Sequence, residues 1–206
     1  RQYGVETIGQ LAAFPRETLE TLMGKHGAQL HDYANALEHS PVRPQHEQEP
    51  VKSVGNGTTF PTNLTRWEQV RSGLSLLADS VAGRLRRYGM YCGGVALTIR
   101  YADFRQFSRQ TRLEGSTHLQ KDIYRAALEL ARQAWHAPEP IRALTVTALY
   151  LTEERDSYQQ LDLLAGDAAK RDEKQERLEQ AMDAIRGKYG KGAISFGNTG
   201  KVGWEE

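Results

Sequence analysis

Residues 93–101 read GGVALTIRY, and residues 104–113, which follow after a short connection, read FRQFSRQTRL. The first segment alternates apolar and polar side chains and places Val95, Leu97 and Ile99 on one face, which is the pattern of a half-buried strand. So short a connection predicts that the two segments form an antiparallel hairpin. The second segment carries arginines separated by hydroxyl and amide side chains, so we expect those arginines to face something other than the core.

The segments on both sides of this hairpin complete one domain. KSVGNGTTFP, at residues 52–61, reads as a short strand interrupted by Gly55 and Gly57. The other elements are a helix with one apolar stripe from Trp67 to Tyr88, the hairpin, a helix from about Leu119 to Trp135, and a last strand, IRALTVTALYL, at residues 141–151. The order strand, helix, strand, strand, helix, strand predicts an α+β fold with a split βαβ arrangement. We expect a four-stranded sheet with both helices on one face and the other face open.

The period of two along a strand predicts which side chains lie on the open face. If the aliphatic residues point to the helices, the residues pointing away are Thr98, Arg100, Thr145 and Thr147. In the second hairpin strand either register includes an arginine, and two sets stay open: Ser108, Gln110 and Arg112, or Arg109 and Thr111. Guanidinium and hydroxyl groups match phosphate oxygens. The glycines at 55 and 57 either let a sugar-phosphate chain approach the backbone or mark a bulge in an edge strand.

The flanking segments differ in composition from this domain. Residues 1–39 have short helical periods separated by Gly24 and Gly27, and the proline-rich segment after them reads as a stiff linker. We expect a helical unit at 1–39, a linker at 40–50, the sheet domain at 51–156, a second linker at 157–168, and a helix and tail at 169–206. The predicted apolar face of that last helix consists of Leu178, Ala181, Met182, Ile185 and Tyr189.

The composition is that of a globular chain. Of its 206 residues, 39% are hydrophobic and 26% charged, and the net charge is +1. Between Arg84 and His118, however, seven arginines stand against two acidic residues, which indicates either a solvated surface or a contact surface for a polyanion. No apolar run approaches the roughly 20 residues of a membrane span. The single Cys92 excludes an internal disulfide, so we expect a cytoplasmic location. The absence of an initial Met suggests a piece of a longer polypeptide.

Catalytic and metal-binding patterns are weak in this sequence. The acids in polar segments, such as Glu153 and Asp172, lack a strand-borne partner that would help to chelate Mg²⁺. The six histidines have no metal-ligand spacing, and Cys92 has no neighbouring histidine to activate it. We therefore expect no catalysis by this chain alone and no cofactor within it.

Five blocks, in this order, resemble the carboxy-terminal part of Y-family translesion DNA polymerases, the group that includes DinB-type and UmuC-type proteins. YGVETIGQLAAF and MGKHGAQLHDYANALE resemble the second half of the family's thumb. KSVGNGTTFP, YADFRQFSRQTRLEGSTH and IRALTVTALYL resemble the entry strand, central hairpin and closing strand of its little finger, also called the polymerase-associated domain. A further block, KRDEKQERLEQAMDAIRGKYGKGAISFGN, resembles a helix and tail of UmuC-like relatives.

The resemblance implies a module that grips DNA for a DNA polymerase of DNA repair and damage tolerance. In the family, the little finger holds primer-template duplex across the major groove through backbone contacts. The carboxylates that bind two magnesium ions for nucleotidyl transfer belong to the palm, which this sequence lacks. The residues expected to contact double-stranded DNA are Lys52, Ser53, Gly55, Asn56, Thr58, Thr98, Arg100, Arg105, Ser108, Arg109, Gln110, Thr111 and Arg112.

A second partner is indicated by QLDLL at residues 160–164. The segment is similar to the sliding-clamp peptide that bacterial members of the family carry after the little finger, although its last position is Leu where Phe is usual. An amide followed by leucines can enter a hydrophobic groove on a partner; alternatively, the leucines cap their own domain. The expected clamp-binding residues are Gln160, Leu161, Asp162, Leu163 and Leu164.

Two other functions are compatible with the same order of elements. An RNA-recognition module also displays a four-stranded sheet, but it stacks bases on aromatic side chains, and the hairpin offers Phe107 at best. In a protein-interaction or small-molecule regulatory domain, the arginines would be incidental.

Overall fold

The computed structural model describes residues 3–42, 44, 50–153 and 166–197, with the backbone alone for 166–172. The chain divides into two compact units, Arg1–Glu49 and Pro50–Glu206. No helix in these described ranges combines the length and the apolar character that a bilayer crossing needs.

The first unit consists of three short helices: α1 (Ile8–Ala13), α2 (Arg16–Met23) and α3 (Lys25–Ala34). Thr7 and Gln10 cap α1 reciprocally, because each side chain accepts a hydrogen bond from the backbone N–H of the other, at 3.2 and 3.1 Å. Gly24 separates α2 from α3 with a φ of 64°, which a side chain would disfavour. The structure therefore contains the short helices that the sequence predicts for residues 1–39.

The second unit is an α+β domain, as the sequence predicts. Its elements in chain order are β1 (Val54–Leu64), α4 (Trp67–Arg87), β2 (Met90–Tyr101), β3 (Gln106–Thr117), α5 (Gln120–Ala134), β4 (Ile141–Glu153) and α6 (Gly166–Tyr189). The four strands form one antiparallel sheet in the order β1-β4-β2-β3. Both helical crossovers are split, since β4 lies between β1 and β2, and β2 lies between β3 and β4.

The core of this unit lies between one face of the sheet and the helices α4 and α5. Its largest fully buried side chains include Phe60, Leu74, Leu77, Ile99, Ile123 and Leu144. Trp67, at the start of α4, packs edge-to-face against Trp135, just after α5, with ring centroids 4.7 Å apart. Burial of this apolar surface is the main force that holds the helices on the sheet.

β1 differs from the sequence prediction because it runs without interruption through Gly55 and Gly57. These glycines pair directly with Thr147 and Thr145 of β4. A Cβ on Gly55 would lie 2.9 Å from Thr147 Oγ1, and one on Gly57 would overlap Thr145. The glycines thus make room for two threonines of the neighbouring strand, and the register shift in β1 occurs later, between Thr59 and Leu64.

α6 packs against the domain through a face that the sequence did not predict. Met182 is buried, but Leu178, Ile185 and Tyr189 of the predicted apolar face are exposed. The packed face is instead polar and centres on Glu179, which is 1% exposed. This buried charge is accommodated because it is paired with groups of other elements.

Candidate nucleic-acid interface

The open face of the sheet is the surface of interest, and the structure determines which β3 residues lie on it. Phe107 and Leu113 pack against the core on the helix-covered side. Ser108, Gln110 and Arg112 have the opposite parity and lie on the open face. The structure thus selects one of the two registers that the sequence left open.

Three rows of directly opposed residues cross the open face from β1 to β3. The rows are Gly55, Thr147, Ala96 and Gln110; then Gly57, Thr145, Thr98 and Ser108; then Thr59, Ala143, Arg100 and Gln106. Arg112 extends the β3 side of this surface and is paired with Gly94. We use "open face" for these residues together with Tyr150. The set contains two arginines and no acidic residue.

Four predicted DNA-contacting residues lie on the helix-covered side of their strands. Each one is paired with a core residue: Asn56 with Val146, Thr58 with Leu144, Arg109 with Leu97 and Thr111 with Val95. Arg109 is nevertheless exposed, because β3 is an edge strand, and its guanidinium lies 5.6 Å from the ring centroid of Phe107. Lys52 and Ser53 are exposed and precede β1. The structure therefore brings Gly55, Thr98, Arg100, Ser108, Gln110 and Arg112 together on one surface.

Arg105 lies in the turn between β2 and β3, where two carboxylates neutralise it. Its guanidinium donates to Asp103 at 2.6 Å and to Glu139 at 2.7 Å. The same hydrogen bond from Arg105 lowers the pKa of the Asp103 carboxyl below its ordinary value. This arginine contributes less positive field than its place in the sequence implied, because its charge is already paired.

Side-chain hydrogen bonds between β2 and β3 arrange one end of the open face. Thr98 Oγ1 donates to Ser108 Oγ at 3.1 Å, and Arg100 donates to Gln106 Oε1 through Nε and Nη2, at 3.2 and 2.8 Å. A shallow depression of about 230 Å³ lies here, with Gly57 and Thr145 also in its wall. It offers a guanidinium and hydroxyl groups, which are groups that bind phosphate oxygens.

Tyr150 lies at the other end of the open face and is not among the site residues predicted from the sequence. Strict alternation with Val146 and Ala148 would place this ring in the core, but the structure exposes 41% of the residue. The Arg112 guanidinium lies 4.0 Å from the ring centroid, and Gln110 Nε2 donates to the hydroxyl at 3.4 Å. A tyrosine between two leucines near the end of the strand was the signal that the sequence offered.

Cys92 and the carboxylates are the other groups of the described residues with potential chemistry. Cys92 is buried, and this burial raises the pKa of its thiol to about 12. The thiol is therefore protonated near neutral pH and unsuited to nucleophilic attack. Within the described ranges, no group of three or more His, Cys, Asp or Glu residues is arranged to hold a metal ion. The predicted clamp-binding residues, 160–164, lie outside the described residues.

A family model and several curated proteins match this chain. The model of the impB/mucB/samB family C-terminal domain matches residues 51–163. DNA polymerase IV of Bacillus velezensis is 36% identical over 194 residues, which is 94% of this chain and 46% of that protein. DNA polymerase IV 1 of Bacillus subtilis is 35% identical over 95% of this chain and 46% of its own length. DNA polymerase IV of Clostridium kluyveri is 32% identical over 96% of this chain and 50% of its own length. The chain thus spans about half the length of these curated relatives.

Proposed function

Because this chain belongs to the impB/mucB/samB family and carries its C-terminal domain, we propose that it is the DNA-binding portion of a translesion DNA polymerase. In this proposal it grips primer-template duplex through backbone phosphates during DNA repair and damage tolerance. Nucleotidyl transfer, with its magnesium ions, belongs to the part of the parent protein outside this chain, since the relatives are about twice as long.

The observation that carries the proposal is the chemistry of the open face. It combines Arg100 and Arg112 with threonine and serine hydroxyls and with two glycines, and none of the residues in its three rows is acidic. Such a surface supplies charge-assisted hydrogen bonds to phosphate oxygens without reading base edges. It therefore suits sequence-independent binding.

The separation of the two arginines supports contact with both strands of a duplex. Arg100 and Gly94, the partner of Arg112, are six residues apart on β2, which is about 20 Å at about 3.3 Å per residue. The major groove of B-DNA is roughly 12 Å wide. The distance between the two arginine positions is thus larger than the groove width. Two cations at this spacing can therefore contact the phosphate backbones on the two sides of one groove.

The RNA-recognition alternative is less well supported by the aromatic side chains. Phe107 lies on the helix-covered side, where its ring stacks near Tyr101 at 6.1 Å. Tyr150 is on the open face, but the Arg112 guanidinium covers its ring. Base stacking needs an uncovered ring, so backbone gripping is the better interpretation.

Duplex binding at two salt concentrations tests the proposal. For two arginine–phosphate contacts alone, the dissociation constant should rise about tenfold between about 50 and about 200 mM salt, with little dependence on base sequence. Fluorescence anisotropy of a labelled primer-template duplex measures this. Binding that is insensitive to salt, or that prefers single-stranded RNA over duplex DNA, would contradict the proposal.

We further propose that QLDLL, at residues 160–164, binds a bacterial sliding clamp. Replacing Gln160 and Leu163 together with alanine is expected to abolish capture by the clamp, because the anchoring amide and a leucine that would enter the clamp groove are lost. Surface plasmon resonance against immobilised clamp measures this, and duplex affinity should stay unchanged as the internal control. Clamp capture at parental strength by the double variant would rule out this peptide.

A further inference from the structure

Tyr150 has a backbone conformation that its side chain does not favour. Its φ is 53°, in the left-handed region, which a bulky residue adopts only when its surroundings hold it there. Val146 and Ala148 are buried at even positions, whereas Leu151 packs against the core at an odd one. The strand therefore changes face at Tyr150, and the tyrosine comes to the open side.

The opposite strand makes room for this ring. A Cβ at Gly94 of β2 would lie 2.8 Å from Tyr150 Cδ2 and 2.9 Å from the carbonyl oxygen of Thr111. A residue with a side chain at this position would displace the tyrosine. Gly94 is paired with Arg112 across the two strands. Because Gly94 has no side chain, the Tyr150 ring can lie over its backbone, next to Arg112.

The ring in turn supports Arg112. The guanidinium lies over it at 4.0 Å from the centroid, and Gln110 holds the hydroxyl end of the ring at 3.4 Å. Stacking of a guanidinium on an aromatic face leaves its in-plane N–H groups available for oxygen acceptors. An unsupported arginine samples many rotamers that binding must restrict, whereas this one is ordered in advance.

We infer that Tyr150 is a positioning residue for DNA binding: it holds the Arg112 guanidinium in the orientation that binds a backbone phosphate. This inference rests on the proposed function, since it requires that the open face binds duplex. The tyrosine itself makes no contact with DNA in this inference and acts only through Arg112. The strained backbone of Tyr150 is thereby explained as part of the binding surface.

Replacing Tyr150 with leucine in the full chain tests the inference. Duplex affinity should fall about two- to fivefold, the value of an exposed cation–π contact. The salt slope should stay unchanged, because the Arg112 charge remains. Tyr150→Phe keeps the ring and should bind like the parent. Tyr150→Asn removes the ring but tolerates positive φ, so it repeats the test if the leucine variant does not fold.

A double-mutant cycle separates positioning from a merely structural role. Arg112→Gln should lower affinity and reduce the salt slope by about 0.9, one phosphate contact. In that background, Tyr150→Leu should cause no further loss. Parental affinity of Tyr150→Leu and Tyr150→Asn, or an equal loss with and without Arg112, would overturn the inference. If the parent does not bind duplex, or Arg112→Gln has no effect, the proposed function fails instead.

Discussion

Replacing Arg100 and Arg112 together with glutamate is expected to lower duplex affinity by about two orders of magnitude or more. These two guanidinium groups are the cations of the open face. Each substitution removes a charge-assisted contact with a DNA phosphate that is worth about 1.5–3 kcal/mol. The new carboxylates also repel phosphates. A salt titration should show a slope smaller by about 1.8, because two phosphate contacts are lost.

A matched control changes the same charge on the helix layer. Arg125 and Arg132 are exposed on α5, which covers the other face of the sheet, with side-chain exposures of 77% and 53%. Arg125→Glu with Arg132→Glu should change affinity by no more than about twofold, since these charges lie on the far side. Equal losses in the two double variants would mean that net charge alone matters. Undiminished binding by a folded Arg100→Glu, Arg112→Glu variant would remove the phosphate assignment.

Replacing Glu179 with alanine is expected to destabilise the second unit by about 3–5 kcal/mol. Glu179 on α6 is 1% exposed, and its carboxylate forms an ion pair with Arg86 of α4, whose side chain is 7% exposed. Both oxygens also accept from the backbone N–H of Gln120 at 3.1 Å. Because Leu119, the N-cap of α5, provides no side-chain cap, Glu179 caps that helix from a different element.

The loss is large because the partners stay buried when Glu179 is removed. Arg86 keeps Asp183 at 2.7 Å and the carbonyl oxygen of His118 at 3.1 Å, but it loses its most buried counter-charge. The Gln120 N–H also loses its acceptor, which costs about 1–3 kcal/mol for a buried donor. Glu179→Gln keeps an acceptor for this N–H and should cost less than the alanine variant.

Urea unfolding followed by tryptophan fluorescence measures this effect, since Trp67 and Trp135 pack together in the core of the unit. Glu173→Ala on the same helix is the control, because the Glu173 side chain is 69% exposed and its ion pair with Arg177 is worth at most about 1 kcal/mol. Similar small losses in Glu179→Ala and Glu173→Ala would show that α6 contributes little to the domain.

The apolar periods of the sequence predicted the helices α4 and α5 and the strands β2, β3 and β4 of the second unit, whereas β1 lacks the predicted interruption. The stripe from Trp67 to Tyr88 became α4, and the alternation in GGVALTIRY placed Val95 and Leu97 in the core of β2. The prediction succeeded because each of these elements buries one face, and burial of one face imposes its own period on the sequence.

The helix α6 shows where the same reasoning fails. Its apolar residues Leu178 and Ile185 share a face in the sequence pattern, yet they are exposed, and Glu179 and Arg186 make the contacts. Arg186 donates to both oxygens of Asp79 on α4, at 2.9 and 2.7 Å. Sequence patterns predict that a charged residue is exposed to solvent unless a nearby partner is evident. The partners of Glu179 and Arg186 lie on α4, which is far away in the sequence.

The sequence by itself determined the order of the elements, the buried side of β2, and the resemblance that the family comparison confirms, because these depend on local period and on residue types in order. Only the tertiary structure decided which arginines share a surface. The parity of Arg112 depends on which β3 residues reach the core, and the exposure of Tyr150 depends on a change of face opposite Gly94. Both are set by contacts with other elements, the core for β3 and Gly94 of β2 for Tyr150, and such contacts leave no periodic pattern along the strand itself.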